Sequence, residues 1–334
     1  MLRIGVDLMG GDQPPSEQLL PFLEGALNLN APMDLHLFVD LPIFQTLSSK
    51  FSSIPSLHLH VCEETILMTD EPLSALRKKP NSSLVQSVKA LQSGQIEGLV
   101  TAANTGALMA AATHYLPHFP ELRRTALLAQ LPSRKGLVTL LDLGGILQIA
   151  PERYWELAAL GVATHQALCP GETCLRVGLL NVGSESHKGS EQLQKAYALL
   201  REESDRHWQG KDYQFVGNVE ARDIFTGDLD LVVTDGYTGN MVLKSAEGVA
   251  EWMMEQLLQE GAAELGPRWK RLERRFHYGY YPGSLLAGLQ QPVVKLHGNG
   301  KSQQYLQGLE WLVHLLQDDV MGRAKSLWQT KKIR

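Results

Sequence analysis

Gly98-Leu99-Val100-Thr101-Ala102-Ala103-Asn104-Thr105-Gly106-Ala107-Leu108-Met109 is the stretch whose reading decides the fold. Its first half is short and apolar, as a buried strand from Gly98 to Ala102 should be. Its second half passes through Asn104 and Thr105 into small residues that predict a helix from Thr105 to Leu116. A strand that turns through a few polar residues into a helix is the first half of a βαβ unit, and the chain repeats this alternation on either side.

Further strands are expected at Arg3 to Leu8, Asp34 to Val39, Leu57 to Val61, Leu137 to Asp142, Leu175 to Asn181, Gln214 to Val219, Leu229 to Thr234 and Val293 to His297. Helices are expected at Ser83 to Gln92, Glu152 to His165, Ser190 to Asp205, Asn240 to Glu260 and Gln303 to Gln317. Apolar residues three and four apart, such as Leu84, Val88 and Leu91, give each helix a face for the sheet. The fold class is therefore α/β, with helices around a mostly parallel sheet.

The chain has 334 residues, 44% of them hydrophobic and 20% charged, which suits a folded protein of one large domain or two lobes. A net charge of -5 disfavours nucleic acid as a partner, because a phosphate backbone calls for a basic surface. Cys62, Cys169 and Cys174 lack the paired spacing of zinc or redox motifs, so no metal site is expected. The amino terminus runs straight into a strand, and no apolar run reaches the roughly 18 residues of a membrane span, so a cytoplasmic protein is expected. The stretch Gly266 to Leu289 looks least regular and carries Arg268, Lys270, Arg271, Arg274 and Arg275. It reads either as a solvated face or as a surface for an acidic carrier protein or anionic lipid heads.

Ligands of α/β sheets bind at the carboxyl ends of strands, so five strand-end segments are candidates for chemistry. In Asp7-Leu8-Met9-Gly10-Gly11-Asp12 the glycines let backbone approach a ligand, or simply make a turn. At Asn104, Thr105 and Gly106 a helix start offers unpaired amides to an anion, although an ordinary N-cap accounts for the same residues. Asn181 through Lys188 and Gly189 joins a strand to a helix and places a cation near the helix start, where the dipole disfavours it unless an anion is close. Asp235, Gly236, Thr238, Gly239 and Asn240 suit the holding of a polar group. His297 follows the last strand and is read as a structural or a substrate-facing ring. Neither a G-x-G-x-x-G nor a Walker A pattern is present.

Taken together and in order, these segments closely resemble the PlsX-type phosphate acyltransferases over essentially the whole length. Carrying the resemblance are Asp7 to Asp12, Asp70-Glu71-Pro72-Leu73 with Arg77, Ser82 and Ser83, and Asn104 to Met109. Gly178 to Asn181 with Lys188-Gly189, Phe215 to Glu220 with Arg222 to Phe225, and Asp235 to Asn240 with Lys244 and Glu247-Gly248 complete it. Two departures stand out. Ile146 occupies the place of a polar amide in the family's Leu-Asp-Val-Gly-Ala-Asn run, and His297-Gly298 is followed by Asn299-Gly300 in place of a serine pair.

The resemblance implies a three-layer α/β/α sandwich of isocitrate/isopropylmalate dehydrogenase type, one domain spanning 1–334, in one lobe or two, with a helical extension around 240–290. It implies transfer of a long-chain fatty acyl group from acyl carrier protein to inorganic phosphate, with no cofactor, by a homodimer. The acyl phosphate would serve a membrane glycerol-3-phosphate acyltransferase, with peripheral contact to the membrane surface. Phosphate is itself the nucleophile, so the site must bind a dianion and stabilise an oxyanion. Lys188, Asp235, Asn240 and His297 are the expected catalytic residues. Asp7, Gly10, Gly11, Asp12, Asn104, Thr105, Gly106, Asn181, Gly189, Gly236, Thr238 and Gly239 are the expected binding residues. A metal- and NAD-dependent dehydrogenase, and a non-catalytic scaffold for the carrier, are the rivals. The long helix with Trp252, Met253, Leu257 and Leu258 is expected to pack in a dimer interface or to touch a membrane.

Overall fold

Apolar runs form strands where the sequence predicts them, and two further strands form where it does not. The computed structural model describes all residues except 13–14, 30, 52–53, 172–173, 206–212, 277–282 and 331–334. Among the described residues the strands are β1 (Leu2–Asp7), β2 (Met33–Val39), β3 (Leu57–Val61), β4 (Gly98–Thr101), β5 (Ala126–Ser133), β6 (Gly136–Leu141), β7 (Leu175–Leu180), β8 (Tyr213–Val219), β9 (Leu231–Val233), β10 (Ser284–Ala287) and β11 (Val293–Lys295). The helices are α1 (Pro15–Leu27), α2 (Leu41–Phe51), α3 (Pro72–Lys78), α4 (Ser83–Gln92), α5 (Thr105–Tyr115), α6 (Pro151–Leu168), α7 (Glu191–Glu203), α8 (Gly236–Gln259), α9 (Pro267–Phe276), α10 (Ser302–Gln317) and α11 (Val320–Thr330).

The chain divides into two units, Met1–Thr125 with Tyr281–Met321, and Ala126–Tyr280 with Gly322–Arg334. In the first, the strand order is β3-β2-β1-β4-β11-β10. All pair in parallel except β10, which runs antiparallel to β11. In the second, the order is β5-β6-β9-β7-β8, again parallel except for β5 against β6. Each sheet is flanked by helices. Parallel strands covered in this way must be apolar on both faces, and Ile4, Val6, Leu99 and Val100 in the first unit, like Leu140, Leu141, Val177 and Val232 in the second, have no exposed surface.

Sequence reasoning missed the two antiparallel strands for a physical reason. Ala126-Leu127-Leu128-Ala129-Gln130-Leu131-Pro132-Ser133 holds two alanines and a proline, all poor strand formers, and becomes β5 only by pairing along β6. Part of the stretch read as irregular, Gly266 to Leu289, forms α9 and β10, while 277–282 lie outside the described residues. Helix α1 was hidden by Pro21 in its interior, and α3 by its length of only seven residues. The long helix begins at Gly236 rather than Asn240, because the Asp235 carboxylate caps it by accepting the Thr238 amide at 2.8 Å.

Candidate functional site

Strands β1, β4 and β11 are neighbours, with Asp7 beside Thr101 and Thr101 beside Lys295 in register. Their carboxyl-end loops therefore lie side by side in the first unit, and they bring Asp7, Gly10, Gly11, Asp12, Asn104, Thr105, Gly106 and His297 to one sheet edge. Asp7 differs from the expectation that it binds phosphate. It is fully buried and accepts the Met9 amide at 3.1 Å and the Thr101 hydroxyl at 2.9 Å, with a further side-chain bond from Ser83. Burial pushes its carboxyl above the ordinary carboxylate range, while these three bonds pull it back down. Thr101 in turn accepts the Ala103 amide at 3.0 Å. Asp7 is thus an interior strut that ties the β1 loop to the turn after β4.

Close packing explains the glycines. A Cβ on Gly10 would lie 2.6 Å from the Ala103 Cα, so only glycine lets the β1 loop rest on the β4 turn. The Asp12 amide donates to the Gly298 carbonyl at 2.7 Å, which joins the β1 and β11 loops. The Asp12 side chain is exposed. His297 accepts the Asn299 amide on Nδ1 at 3.2 Å, so the neutral ring carries its proton on Nε2.

Asn104 is engaged at both ends of its side chain. Its Oδ1 accepts the Ala107 amide at 3.1 Å, capping α5, and its Nδ2 donates to the Met68 and Asp70 carbonyls at 3.0 and 3.3 Å. The sequence-based assignment of Asn104 as a direct ligand is therefore replaced by a positioning role. The cap takes only the third amide of the helix, and the amides of Thr105 and Gly106 have no protein acceptor among the described residues. A neutral cap below two open amides at the positive end of a helix is a place for an anion.

The loop that Asn104 gathers is itself braced. Asp70 accepts the Leu67 amide at 2.8 Å and the Lys79 ammonium at 2.5 Å, and the lysine bond holds its carboxyl below the usual range. Glu71 caps α3 through the Leu73 and Ser74 amides. Asp70 and Glu71 were visible in the sequence only as part of the family resemblance, and Lys79 was missed.

In the second unit the strand ends of β6, β9 and β7 are neighbours, and they carry two clusters. The first surrounds the start of α8. Asp235 accepts both the amide and the hydroxyl of Thr238 at 2.8 Å. The Gly236 amide donates to the Ile146 carbonyl at 2.8 Å, and a Cβ on Gly239 would collide with the Asp142 carbonyl. Asn240 is half-buried and lies beside Gly144. This helix start is thus already occupied by a carboxylate and a carbonyl.

Asp142 was not among the expected site residues, yet it organises this cluster. It is fully buried and accepts amides from Leu127 at 2.9 Å, Leu143 at 2.7 Å, Gly145 at 3.0 Å and Ile146 at 2.5 Å. Burial raises its carboxyl above the ordinary range, against the lowering effect of those four amides. The departure at position 146 follows from the same loop: Ile146 uses its backbone for Asp142 and Gly236, and its side chain is buried.

The second cluster follows β7. Asn181 accepts the Val182 amide at 2.8 Å and donates to the Lys188 carbonyl at 3.1 Å, and Asn218 donates to the Glu185 carbonyl at 2.8 Å. Gly189 has φ +83 and packs so tightly on Asn181 that a Cβ would lie 2.4 Å from its Oδ1. Here the expectation needs correction: Gly189 is not a helix start. Helix α7 begins at Glu191 beneath its Ser190 cap, and Glu191 supplies the negative charge in the first turn. Lys188 is 44% exposed on its side chain, with its Nζ 4.0 Å from Glu185, and its place in this loop explains it without a ligand. Among the described residues no group of three or more His, Cys, Asp or Glu could hold a metal ion.

Residues 2–323 match the family described as "Fatty acid synthesis protein". The phosphate acyltransferase of Chlamydia muridarum is 34% identical over 323 residues, which cover 96% of both chains. That of Brevibacillus brevis is 36% identical over 336 residues, covering 96% of this chain and 95% of the relative. Among solved structures, a branched-chain phosphotransacylase from Enterococcus faecalis aligns with a TM-score of 0.57 at 15% identity, over 94% of this chain and 99% of the other. The EutD phosphotransacetylase from Staphylococcus aureus gives 0.56 at 16% identity, over 93% of each chain. At such identities these two structures speak for the fold alone.

Proposed function

The chain belongs to the phosphate acyltransferase family, and on that premise we propose that it moves a long-chain fatty acyl group from the thiol of an acyl carrier protein onto inorganic phosphate. A phosphate oxygen attacks the thioester carbonyl, a tetrahedral oxyanion forms, and collapse breaks the C–S bond. The products are the acyl phosphate and the carrier thiol, which takes up a proton as it leaves. No enzyme nucleophile is needed, so catalysis consists of binding the dianion, aligning it and stabilising the oxyanion.

The single observation that carries this reading is the start of α5, where a neutral cap leaves the Thr105 and Gly106 amides open beside loops held by Asp7. An oxyanion site made of backbone amides typically contributes a factor of about 10² to 10³ per donor in rate. The sequence-based role of His297, which accepts the Asn299 amide on Nδ1, is a proposal for the release assay. The sequence-based roles of Lys188, Asp235 and Asn240 are proposals for the same assay: an alanine variant with unchanged rate and phosphate dependence removes that residue.

We further read the fold as the three-layer, isocitrate dehydrogenase-like sandwich, and the molecule as a homodimer whose product supplies a membrane glycerol-3-phosphate acyltransferase. Support for an association surface comes from α8, where Trp252, Met253, Leu257 and Leu258 are all exposed. No helix among the described residues is long and apolar enough to cross a membrane. Flotation with anionic vesicles tests peripheral contact, and sedimentation tests the dimer.

The decisive experiment measures release of free carrier from palmitoyl-loaded acyl carrier protein with and without inorganic phosphate. The expected result is phosphate-dependent release with acyl phosphate formed. Release that ignores phosphate would instead make the protein a thioesterase, and carrier binding without release would make it a scaffold.

A further inference from the structure

Beside the start of α5 the chain leaves large apolar side chains in water on a segment whose backbone is pinned. Leu67 and Leu73 are each 55% exposed. The Leu67 amide donates to Asp70 at 2.8 Å and the Leu73 amide to Glu71 at 3.3 Å. Between them, the carbonyls of Met68 and Asp70 accept from Asn104. Lys79 braces the same loop through Asp70 and the Thr65 carbonyl.

Single exposed leucines are common on protein surfaces and need no explanation. This pair differs in its placement. Asn104, which gathers the loop, is also the cap of α5, and Pro72 sits over Gly106 so closely that a Cβ there would lie 2.6 Å from the Pro72 Cγ. Leu73 directly follows that proline. Between the leucines, half-buried Met68 extends its methyl group to Gly298, so that apolar surface continues toward the β11 loop.

We propose that Leu67 and Leu73 form an apolar rim that grips the first methylenes of the acyl chain and so favours fatty acyl over acetyl donors. The inference rests on the acyl transfer reading. If phosphate is held at the Thr105 and Gly106 amides, the carbonyl carbon it attacks lies within bonding distance of it, and the chain attached to that carbon must leave past this loop. A pinned backbone keeps the rim in place at little backbone entropic cost on binding, and the removal of methylene surface from water supplies affinity that an acetyl group cannot.

The test compares kcat/KM for hexadecanoyl and acetyl carrier protein at saturating phosphate in the wild type, Leu67→Ala, Leu73→Ala, the double alanine variant and Leu73→Met. The ratio of long-chain to short-chain kcat/KM should fall about tenfold in the double alanine variant, from roughly two buried methylenes lost. Leu73→Met, of similar volume, should restore most of the ratio. An unchanged ratio, or an equal loss with both donors, overturns the rim. A wild type with no phosphate-dependent turnover of either donor overturns the acyl transfer reading itself, which is a different outcome from a working wild type with an unaltered ratio in the variants.

Discussion

The starts of α5 and α8 are built from the same parts, a parallel strand, a short polar turn and a capped helix, yet they have opposite electrostatic character. At α5 the cap is the neutral Asn104, and the first two amides are open. At α8 the cap is Asp235, whose two oxygens are both engaged by Thr238, and the first amide is taken by Ile146. A carboxylate at the positive end of a helix satisfies locally what a bound anion would otherwise satisfy. The lesson is that one atom in the cap, amide nitrogen or carboxylate oxygen, decides whether a helix start can be offered to a dianion.

The largest expected effect comes from making α5 resemble α8. Thr105→Asp should place a carboxylate in the first turn, which favours the helix but competes with phosphate. We expect kcat/KM for phosphate to fall by about 100-fold or more with no loss of thermal stability. A first-turn change on α8, Tyr237→Asp one position further into the helix already closed by Asp235, should alter kcat/KM by no more than about threefold, since exposed charges there act weakly. Equal losses in both variants would erase the distinction between the two helix starts.

A smaller effect separates the caps as structural devices. Asn104→Ala removes a cap and strands the carbonyls of Met68 and Asp70, so urea titration should show a loss of about 2 kcal/mol. Asp235→Ala removes only a local cap and should cost about 1 kcal/mol. If Asn104→Ala costs no more than Asp235→Ala, the tie to the 67–70 loop contributes nothing.

The smallest effect sharpens the comparison by locating acid sensitivity in the first unit, away from the start of α5 along the sheet. His36 Nδ1 and His60 Nε2 are 2.9 Å apart, and His36 stacks on His58 at 4.5 Å between centroids. Burial, followed by the charges of His58 and His60, lowers His36 to about 4, with Asp34 opposing and Arg3 adding to the shift; His60 is lowered as well. The unfolded chain therefore binds protons that the folded one refuses between pH 6.5 and about 4. Stability present above that window should be lost as pH falls through it. The thermal midpoint should drop on going from pH 7 to 4.5, by the equivalent of about 1 kcal/mol, and His36→Gln should flatten the drop. A midpoint that is equally acid-sensitive in the variant would assign the effect elsewhere.

How much of this was legible beforehand differed by kind of residue. The parallel strands were, because burial on both faces demands unbroken Val and Leu runs such as Leu231 to Val233. The start of α5 was, because Asn-Thr-Gly after a strand has few other uses. What escaped was whatever depended on a distant partner. Ala126 to Ser133 is a strand only because Gly136 to Leu141 lies alongside it. Asp142 looked like the end of a strand until four amides converged on it, and Lys188 looked like a free cation until Asn181 and Asn218 were seen to fold its loop. Asn104, Thr105 and Gly106 were all named together, but the sequence could not assign the side chain to bracing and the two amides to the open position.

The sequence by itself determined the α/β class, the family and the strand ends at which chemistry belongs, because periodicity, turn residues and the order of motifs are local properties. Tertiary structure alone decided which of those polar groups are already spent. Whether an amide or a carboxylate is free depends on the partner brought to it across the fold, as Met68 and Asp70 are brought to Asn104 and Ile146 to Gly236, and no spacing along the chain encodes that.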